Sequence, residues 1–323
     1  MAKNENLHKA KTAKNDEFYT QLSDIEKEMV HYKDHFKDKT IYCNCDDARE
    51  SNFFKFFSLN FEKLGLKKLI TTGYKADGQG VALIYEGDKN GNRLPDTEEI
   101  TIRPLQGNGD FRSEECIEFL KESDIVVTNP PFSLFREYIA QLMEYGKKFL
   151  VIGNQNAITF KEIFPYIKNN QLWLGVSMNG SNRWFTVPDN YIVADNAAGY
   201  KVVDGKKMFF VNGVVWFTNL DNEKRNRPID LYKHYSNEYK HYDNYDAIEV
   251  SKVCDIPMDY DGVMGVPITF LDKYCPEQFE IFGATESEGK GFSNGLWFKD
   301  SGVSQPLIDG KRIYKRLFIR HRK

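Results

Sequence analysis

"DIVVTNPPFSLFREYIAQL", Asp124 to Leu142, is the stretch on which the reading of this chain turns. Ile125, Val126, Val127 and Thr128 form a short apolar, β-branched run of the kind that fills a buried strand. It meets Asn-Pro-Pro-Phe. Asn-Pro opens turns, and two consecutive prolines cannot continue a central strand, so the strand ends at Thr128. Beyond the turn Leu134, Tyr138, Ile139 and Leu142 recur at helical spacing, with Ser133 placed to cap the helix and Gly146 to end it. A doubly buried strand followed by an amphipathic helix is a unit of a parallel sheet with helical layers.

The same alternation extends in both directions. "SDIEKEMVHYKDHF" predicts a helix with a Ser23/Glu26 capping box and Ile25, Met29, Tyr32 and Phe36 on one face. "KTIYCNCDD" and "KKLITTGYK" are short strands. "SNFFKFFSLNFEKLG" is a helix capped by Ser51 or Asn52 and stopped by Gly65. "SEECIEFLKES" and "TFKEIFPYIKN" are helices, and "KKFLVIGN" is another buried strand. After Gln171 the pattern changes: "QLWLGVSM", "NRWFTVP" and "GVVWFTNL" read as an antiparallel edge with a loop, Asp189 to Gly213, inserted. From about Asp221 the composition shifts to "DLYKHYSNEYKHYDNYDAIEV", dense in Tyr, Asn, His and Lys. The expected architecture is α/β: a Rossmann-like mixed seven-stranded sheet with helices on both faces over residues 1–220, and a smaller domain over 221–323.

Composition narrows the class. The chain has 323 residues, 41% of them hydrophobic and 28% charged, with a formal net charge of −3. This is a folded protein in which any polyanion-binding surface is local. The basic tail "DGKRIYKRLFIRHRK" is one candidate for such a surface. Five cysteines without a C-x-x-C pair or a histidine at zinc spacing argue against a metal site, and their odd number points to reduced thiols in a cytoplasmic setting. No apolar run approaches the roughly 20 residues of a membrane span.

The turn itself can carry chemistry. Ligands of open α/β sheets bind beyond the carboxyl ends of the strands, where Asn129 to Phe132 falls. The prolines fix φ and supply no N–H, so the turn is a rigid corner offering an amide oxygen, a backbone oxygen and an aromatic face. That set suits a planar base with an exocyclic amino group. Asn129 and the Pro130 carbonyl would accept the two amino hydrogens, and Phe132 would stack on the ring. The competing reading is a plain strand-to-helix turn.

"DIVVTNPPF" resembles the catalytic motif of amino-methyltransferases that use S-adenosylmethionine. Together with "NDEFYTQ", "YCNCDDARESNFFKFF", "GLKKLI", "GNGDFRSEE", "YDNYDAIEV", "DIPMDYDGVMGVPITFL" and "PEQFEI", it resembles the EcoRI-type adenine-specific DNA methyltransferases over nearly the whole chain. The resemblance implies transfer of a methyl group from S-adenosylmethionine to the amino nitrogen of an adenine flipped out of duplex DNA. It assigns catalysis to Asn129, Pro130, Pro131 and Phe132. It assigns the cofactor to Phe18, Tyr19 and Thr20, to Asp46 and Asp47 after the first strand, and to Asp110 and Phe111.

The pattern departs from the wider superfamily in two places. "CNCDDARESN" replaces the usual glycine-rich turn, and "KKLITTGYK" lacks the acid expected to bind a ribose. The resemblance assigns target recognition to the C-terminal third, with Lys240, Asn244, Lys311, Arg312, Lys315 and Arg316 as DNA-contacting candidates. Arg183, in "GSNRWF", is a further candidate at the pocket around the extruded base, with a surface hairpin as the competing reading. The implied partner is double-stranded DNA, approached by a monomer, with room for a cognate restriction endonuclease that shares the site without being bound. Two rivals are an RNA or protein amide methyltransferase, and a silent DNA-binding homologue.

Overall fold

The computed structural model describes residues 19–45, 47–48, 50–75, 78–92, 94–180, 183–187, 199–286 and 291–322. The chain divides into two compact units, Met1–Asn154 with Gly175–Leu220, and Gln155–Leu174 with Asp221–Lys323. A single cut near Asp221 therefore misplaces the segment from Gln155 to Leu174. The packing explains why it belongs with the C-terminal residues. Phe164 meets Phe292 at 5.5 Å between ring centres. The Arg225 guanidinium lies 3.8 Å from the Trp173 ring centre, and the Tyr314 hydroxyl donates to Asn156 Oδ1 at 2.6 Å.

The first unit is built on an eight-stranded sheet in the order β4-β3-β2-β1-β5-β6-β11-β7. Its centre consists of β1 (Thr40–Cys43), β2 (Lys68–Gly73), β5 (Ile125–Thr128) and β6 (Lys148–Asn154), all parallel. β3 (Val81–Tyr85) and β4 (Ile100–Pro104) extend it as antiparallel strands beyond β2. On the other side β11 (Val214–Thr218) runs antiparallel to β6, and β7 (Trp173–Asn179) lies at the edge. The β3–β4 pair adds two strands in a region where the sequence reading places no element, while "NRWFTVP" leaves this sheet for another, so the count is eight where seven are expected. A second, three-stranded sheet has the order β8-β10-β9, with β8 (Arg183–Thr186), β9 (Tyr200–Val203) and β10 (Lys206–Val211). The segment expected as an inserted loop therefore contains a hairpin. Its turn, Asp204-Gly205, has φ of 51° and 76°. Positive φ at both turn residues suits a two-residue hairpin with the twist of its strands.

Four caps differ from, or refine, what the sequence predicts. Helix α1 (Leu22–Met29) starts before Ser23, with Gln21 at the N-cap and no side-chain cap, so the Ser23/Glu26 box does not form. A turn of 3₁₀ helix then leads to α2 (Lys33–Phe36). Helix α3 (Asn52–Leu59) is capped by Ser51, whose Oγ accepts from Phe53 N at 3.2 Å. The helix breaks at Asn60, and α4 (Phe61–Leu64) ends on Gly65 at φ 62°. Helix α5 (Glu114–Glu122) is capped by Ser113. After the Asn-Pro-Pro turn, Leu134 N bonds to Pro131 O at 3.0 Å and closes a 3₁₀ turn. That turn delays α6 (Phe135–Glu144), leaving Leu134 rather than Ser133 at its N-cap.

The core of this unit joins the α1–α2 and α3–α4 layer to the sheet through large rings. Phe36 meets Phe57 edge-on at 5.4 Å, and Phe53 meets Trp216 edge-on at 6.2 Å. Glu28 is also buried here. Its carboxylate accepts from Val176 N at 2.8 Å, Ser177 N at 2.6 Å, Ser177 Oγ at 2.6 Å and Tyr32 Oη at 3.0 Å. A buried carboxylate is tolerable only when its lone pairs are occupied in this way.

The second unit carries α7 (Phe164–Lys168) and a four-stranded sheet in the order β12-β13-β17-β14. These strands are β12 (Ile248–Glu249), β13 (Met264–Pro267), β14 (Phe279–Ala284) and β17 (Arg316–His321), with a small hairpin of β15 (Leu307–Ile308) and β16 (Lys311–Arg312) beside them in sequence. β17 is an interior strand, antiparallel to both β13 and β14.

Candidate active site

The parallel strands β2, β1, β5 and β6 end at one edge, and the Asn-Pro-Pro-Phe turn leaves β5 at that edge. Asn129 and Pro130 are buried, and Pro131 and Phe132 half-buried. Phe132 packs on the main core. The turn is held from below by Asn44, the residue that follows β1. The Thr128 hydroxyl donates to Asn44 O, and the Tyr138 hydroxyl of α6 donates to Asn44 Oδ1. All three are buried. Burial raises the Tyr138 hydroxyl well above its ordinary pKa, so it remains a donor. The sequence reading misses Asn44; its only signal is an amide set directly after a short strand that is buried throughout.

The neighbouring strand ends close on one another through glycine. A Cβ on Gly73, the last residue of β2, would lie 2.7 Å from Ala48 N in the loop after β1. One on Gly109 would lie 2.2 Å from Gly73 O, and Gly109 has φ 82°. The close backbone approach that a glycine-rich turn after β1 would provide is thus supplied by glycines from the neighbouring strand and loop. Lys75 N bonds to Asn108 O at 2.8 Å and continues the contact.

Asp110 and Phe111 follow Gly109 and dock on α6. The Phe111 ring meets Tyr138 edge-on at 5.0 Å, and Gln141 Nε2 donates to Phe111 O at 3.3 Å. The Phe111 ring is 5% exposed, so most of it serves packing. Asp110 holds Arg112 through Nε at 2.9 Å and Nη2 at 2.7 Å. The Arg112 hydrogen bond keeps the Asp110 carboxyl below its ordinary pKa and therefore ionised. Arg112 also reaches Glu137 of α6 at 3.0 Å. Phe111, Tyr138, Asn44 and Thr128 form one connected chain from this loop to the Asn-Pro-Pro-Phe turn.

Of the first expected segment, Phe18 lies outside the described residues, as does Asp46. Tyr19 pairs with Thr186 of β8 through N to O contacts of 2.8 and 3.1 Å. Thr20 O accepts from Asn52 Nδ2 at 2.7 Å, which places Thr20 at the start of α3. The Thr20 hydroxyl is buried and has no hydrogen-bond partner among the described residues. Asp47 is exposed, and its carboxylate and carbonyl both accept from the loop leading into α3.

The DNA-contacting candidates separate by environment. Asn244 is fully buried. Its Nδ2 donates to Val303 O at 2.7 Å and Gln305 O at 2.8 Å, and its Oδ1 accepts from Leu307 N at 2.9 Å. Its amide is thus committed to stapling a loop, not to reading bases. Arg316 is likewise committed. It pairs with Glu249 at 2.8 Å, and both side chains are only 11% exposed. Arg183 turns inward, with Nη2 3.5 Å from Ser177 O. Lys315 bonds to Thr159 Oγ1 at 3.1 Å. Lys240, Lys311 and Arg312 remain exposed, Lys240 paired with Asp309 at 2.5 Å. The second half of the basic tail is therefore an interior strand, in which Leu317, Phe318 and Ile319 form a fully buried run between Arg316 and Arg320.

Asn129 is only 5% exposed, and its Oδ1 is buried. An Asn129 that accepts hydrogens from a base needs open space before its side chain, and the described conformation leaves that side chain nearly covered. A cleft of about 310 Å³ does exist, lined by His35, Lys39, Asp124 and Lys148, but it lies at the amino ends of β5 and β6, away from the turn.

The family model described as "Adenine-specific methyltransferase EcoRI" matches residues 6–322. The chain is 47% identical to the Type II methyltransferase M.EcoRI of Escherichia coli, over 100% of this chain and 98% of the relative. It is 39% identical to the Type II methyltransferase M.MpnI of Mycoplasma pneumoniae, over 98% of each. With matches of this extent, the chain belongs to the EcoRI family of adenine-specific methyltransferases.

Proposed function

We propose that the protein methylates the exocyclic amino nitrogen of adenine in duplex DNA, using S-adenosylmethionine. The observation that carries this reading is the Asn-Pro-Pro-Phe turn at the carboxyl end of a central parallel strand, braced through Asn44. Relatives named Type II methyltransferases support DNA as the acceptor.

The residues at the strand ends fit the cofactor. Thr20 brings a buried hydroxyl with an unused hydrogen-bonding capacity to the start of α3, and Asp110 brings an ionised carboxylate able to accept amino hydrogens. Tyr19, Thr20, Asp47, Asp110 and the backbone beside Gly109 would hold it, with Phe18 and Asp46 on the same segments. When bound, S-adenosylmethionine supplies an electrophilic methyl group on sulfur. The protein's own part is orientation. Asn129 Oδ1 and Pro130 O accept the two amino hydrogens, which points the nitrogen lone pair at its target, and Phe132 holds the ring.

Because Asn129 is nearly buried, a base reaches it only after the turn is uncovered, with half-exposed Pro131 and Phe132 as the way in. Flipping an adenine out of the stack costs a few kcal/mol. An assay with labelled cofactor on duplex DNA, RNA and protein acceptors tests the reading, followed by sequencing of modified bases in the labelled DNA. Label confined to adenine in DNA is the expected result. Label in RNA or protein alone refutes it.

A further inference from the structure

The β8-β10-β9 sheet has two faces of different character. Pairing fixes them: Met208 lies opposite both Thr186 and Lys201, Phe210 opposite Trp184, and Lys206 opposite Val203. Paired residues share a face and alternate along each strand. Phe185, Phe209 and Val211 therefore lie on the other face, and all three belong to the main core cluster or pack on it. The outward face carries Trp184, Phe210, Met208, Lys201 and Lys206.

On that outward face Trp184 and Phe210 form an aromatic pair, 5.0 Å between ring centres. Lys201 Nζ stands 4.0 Å from the Trp184 ring centre. Both rings are half-buried, while Lys201, Lys206 and Val203 are exposed. The three strands contain Arg183, Lys201, Lys206 and Lys207 and no aspartate or glutamate, in a chain whose net charge is −3. β8 is also the strand to which Tyr19 pairs, beside the segment expected at the cofactor.

We propose that this outward face docks the DNA strand flanking the target base, with Lys201 and Lys206 on phosphates and the Trp184–Phe210 pair against an unstacked base or sugar. The inference rests on the reading of the protein as a DNA methyltransferase. Interleaved rings and cations are what a displaced nucleic-acid strand requires. The cations track its backbone, and the rings stack on any base regardless of sequence. The strands themselves carry no carboxylate to repel a phosphate, and the nearby Asp204 sits in the β9–β10 turn at their end. The cation over Trp184 keeps that ring beside a positive charge, where a base plane and its phosphate arrive together.

Fluorescence anisotropy with a labelled duplex carrying a methylatable site tests the surface, across a salt series and with matched thermal melts. The double variant Lys201→Gln/Lys206→Gln alters only exposed side chains. Each lost phosphate contact lowers the slope of log affinity against log salt by about 0.9, so a reduction approaching about 2 is expected. Trp184→Ala is expected to weaken binding about 5- to 150-fold, the value of one base–aromatic stack. Trp184→Phe should keep much of that affinity, which separates stacking from loss of fold. Wild-type slope and affinity in both the lysine double variant and Trp184→Ala, in an enzyme that still methylates DNA, overturn the docking surface alone. A wild-type protein with no affinity for duplex DNA overturns it together with the function beneath it.

Discussion

The Tyr138 hydroxyl donates to Asn44 Oδ1, tying the helix after the Asn-Pro-Pro-Phe turn to the loop after the central strand β1. The Asn-Pro-Pro-Phe turn is therefore positioned from two sides, by its own strand and by its neighbour. Thr128 completes the brace by donating to the Asn44 carbonyl.

Tyr138→Phe removes the hydroxyl and leaves a buried amide oxygen without its donor. That costs about 1–3 kcal/mol of stability. The turn loses a brace but keeps its atoms, so turnover should fall while cofactor affinity changes little. Urea denaturation and single-turnover methylation, measured side by side, check both halves. Unchanged turnover would show that Asn44 has no positioning role.

Asn129→Ala removes an acceptor that, on the proposed mechanism, orients the amino nitrogen. Loss of one preorganised hydrogen-bonding group typically slows catalysis about 10²- to 10³-fold. Cofactor binding by calorimetry should persist, because Thr20, Asp47 and Asp110 lie on other segments. Full activity in this variant would remove the turn from the chemistry.

Much of this architecture was legible in advance, for reasons the structure makes plain. β1, β5 and β6 announced themselves because strands buried on both faces read as short, nearly continuous apolar runs. The β3–β4 pair did not. "VALIY" is as apolar as β5, but β4 is mostly exposed, and "ITIRP" carries no inward stripe. The β9–β10 hairpin had a usable signal in Asp204-Gly205, obscured by the long polar stretch before it. At the site, the Asn-Pro-Pro-Phe motif gave the turn its place, whereas Asn44 acts through contacts 84 and 94 residues away. Such long-range partners leave no local pattern. The basic tail misled because Arg316 looks like any surface arginine until its partner Glu249 is seen.

Alkaline pH should unfold the first unit through its buried phenols. Tyr85 is pushed up to about 12 by burial and then by Glu99, and burial also raises Tyr42 and Tyr138. These groups hold their protons more tightly folded than unfolded, so their contribution is complete below the ordinary value of about 10 and is lost as pH rises beyond it. Denaturant midpoints should stay level to about pH 10 and fall towards pH 12. Tyr85→Phe should flatten part of that fall. A midpoint curve identical to wild type would show that Tyr85 titrates normally.

Glu28 gives a sharper test of buried electrostatics. Its carboxylate accepts four hydrogen bonds, two of them from the backbone of edge strand β7. In Glu28→Gln the new amino group must face donors, and each hydrogen bond to a charged group is worth about 1.5–3 kcal/mol. A loss of a few kcal/mol is expected. Gly175→Ala should be comparably damaging, since its Cβ would fall 2.2 Å from Glu28 Oε1 and 2.6 Å from Trp216 Cβ. Thermal melts of both variants check this, and a Gln variant as stable as wild type would mean that the strand is held without the charge.

Arg316 and Arg312 contrast a structural cation of the second unit with an exposed candidate for DNA contact. Arg316→Ala strands Glu249, buried beside Tyr242, at a cost of about 3–5 kcal/mol. Lys311 and Arg312 are exposed on a hairpin, so Lys311→Gln/Arg312→Gln should leave the stability within about 0.5 kcal/mol of wild type. If that hairpin contacts phosphate, the same pair should lower the salt slope of DNA binding by about 0.9 per residue. Melts and salt-dependent anisotropy together resolve the two roles. A salt slope unchanged in the double variant would take the hairpin out of the interface.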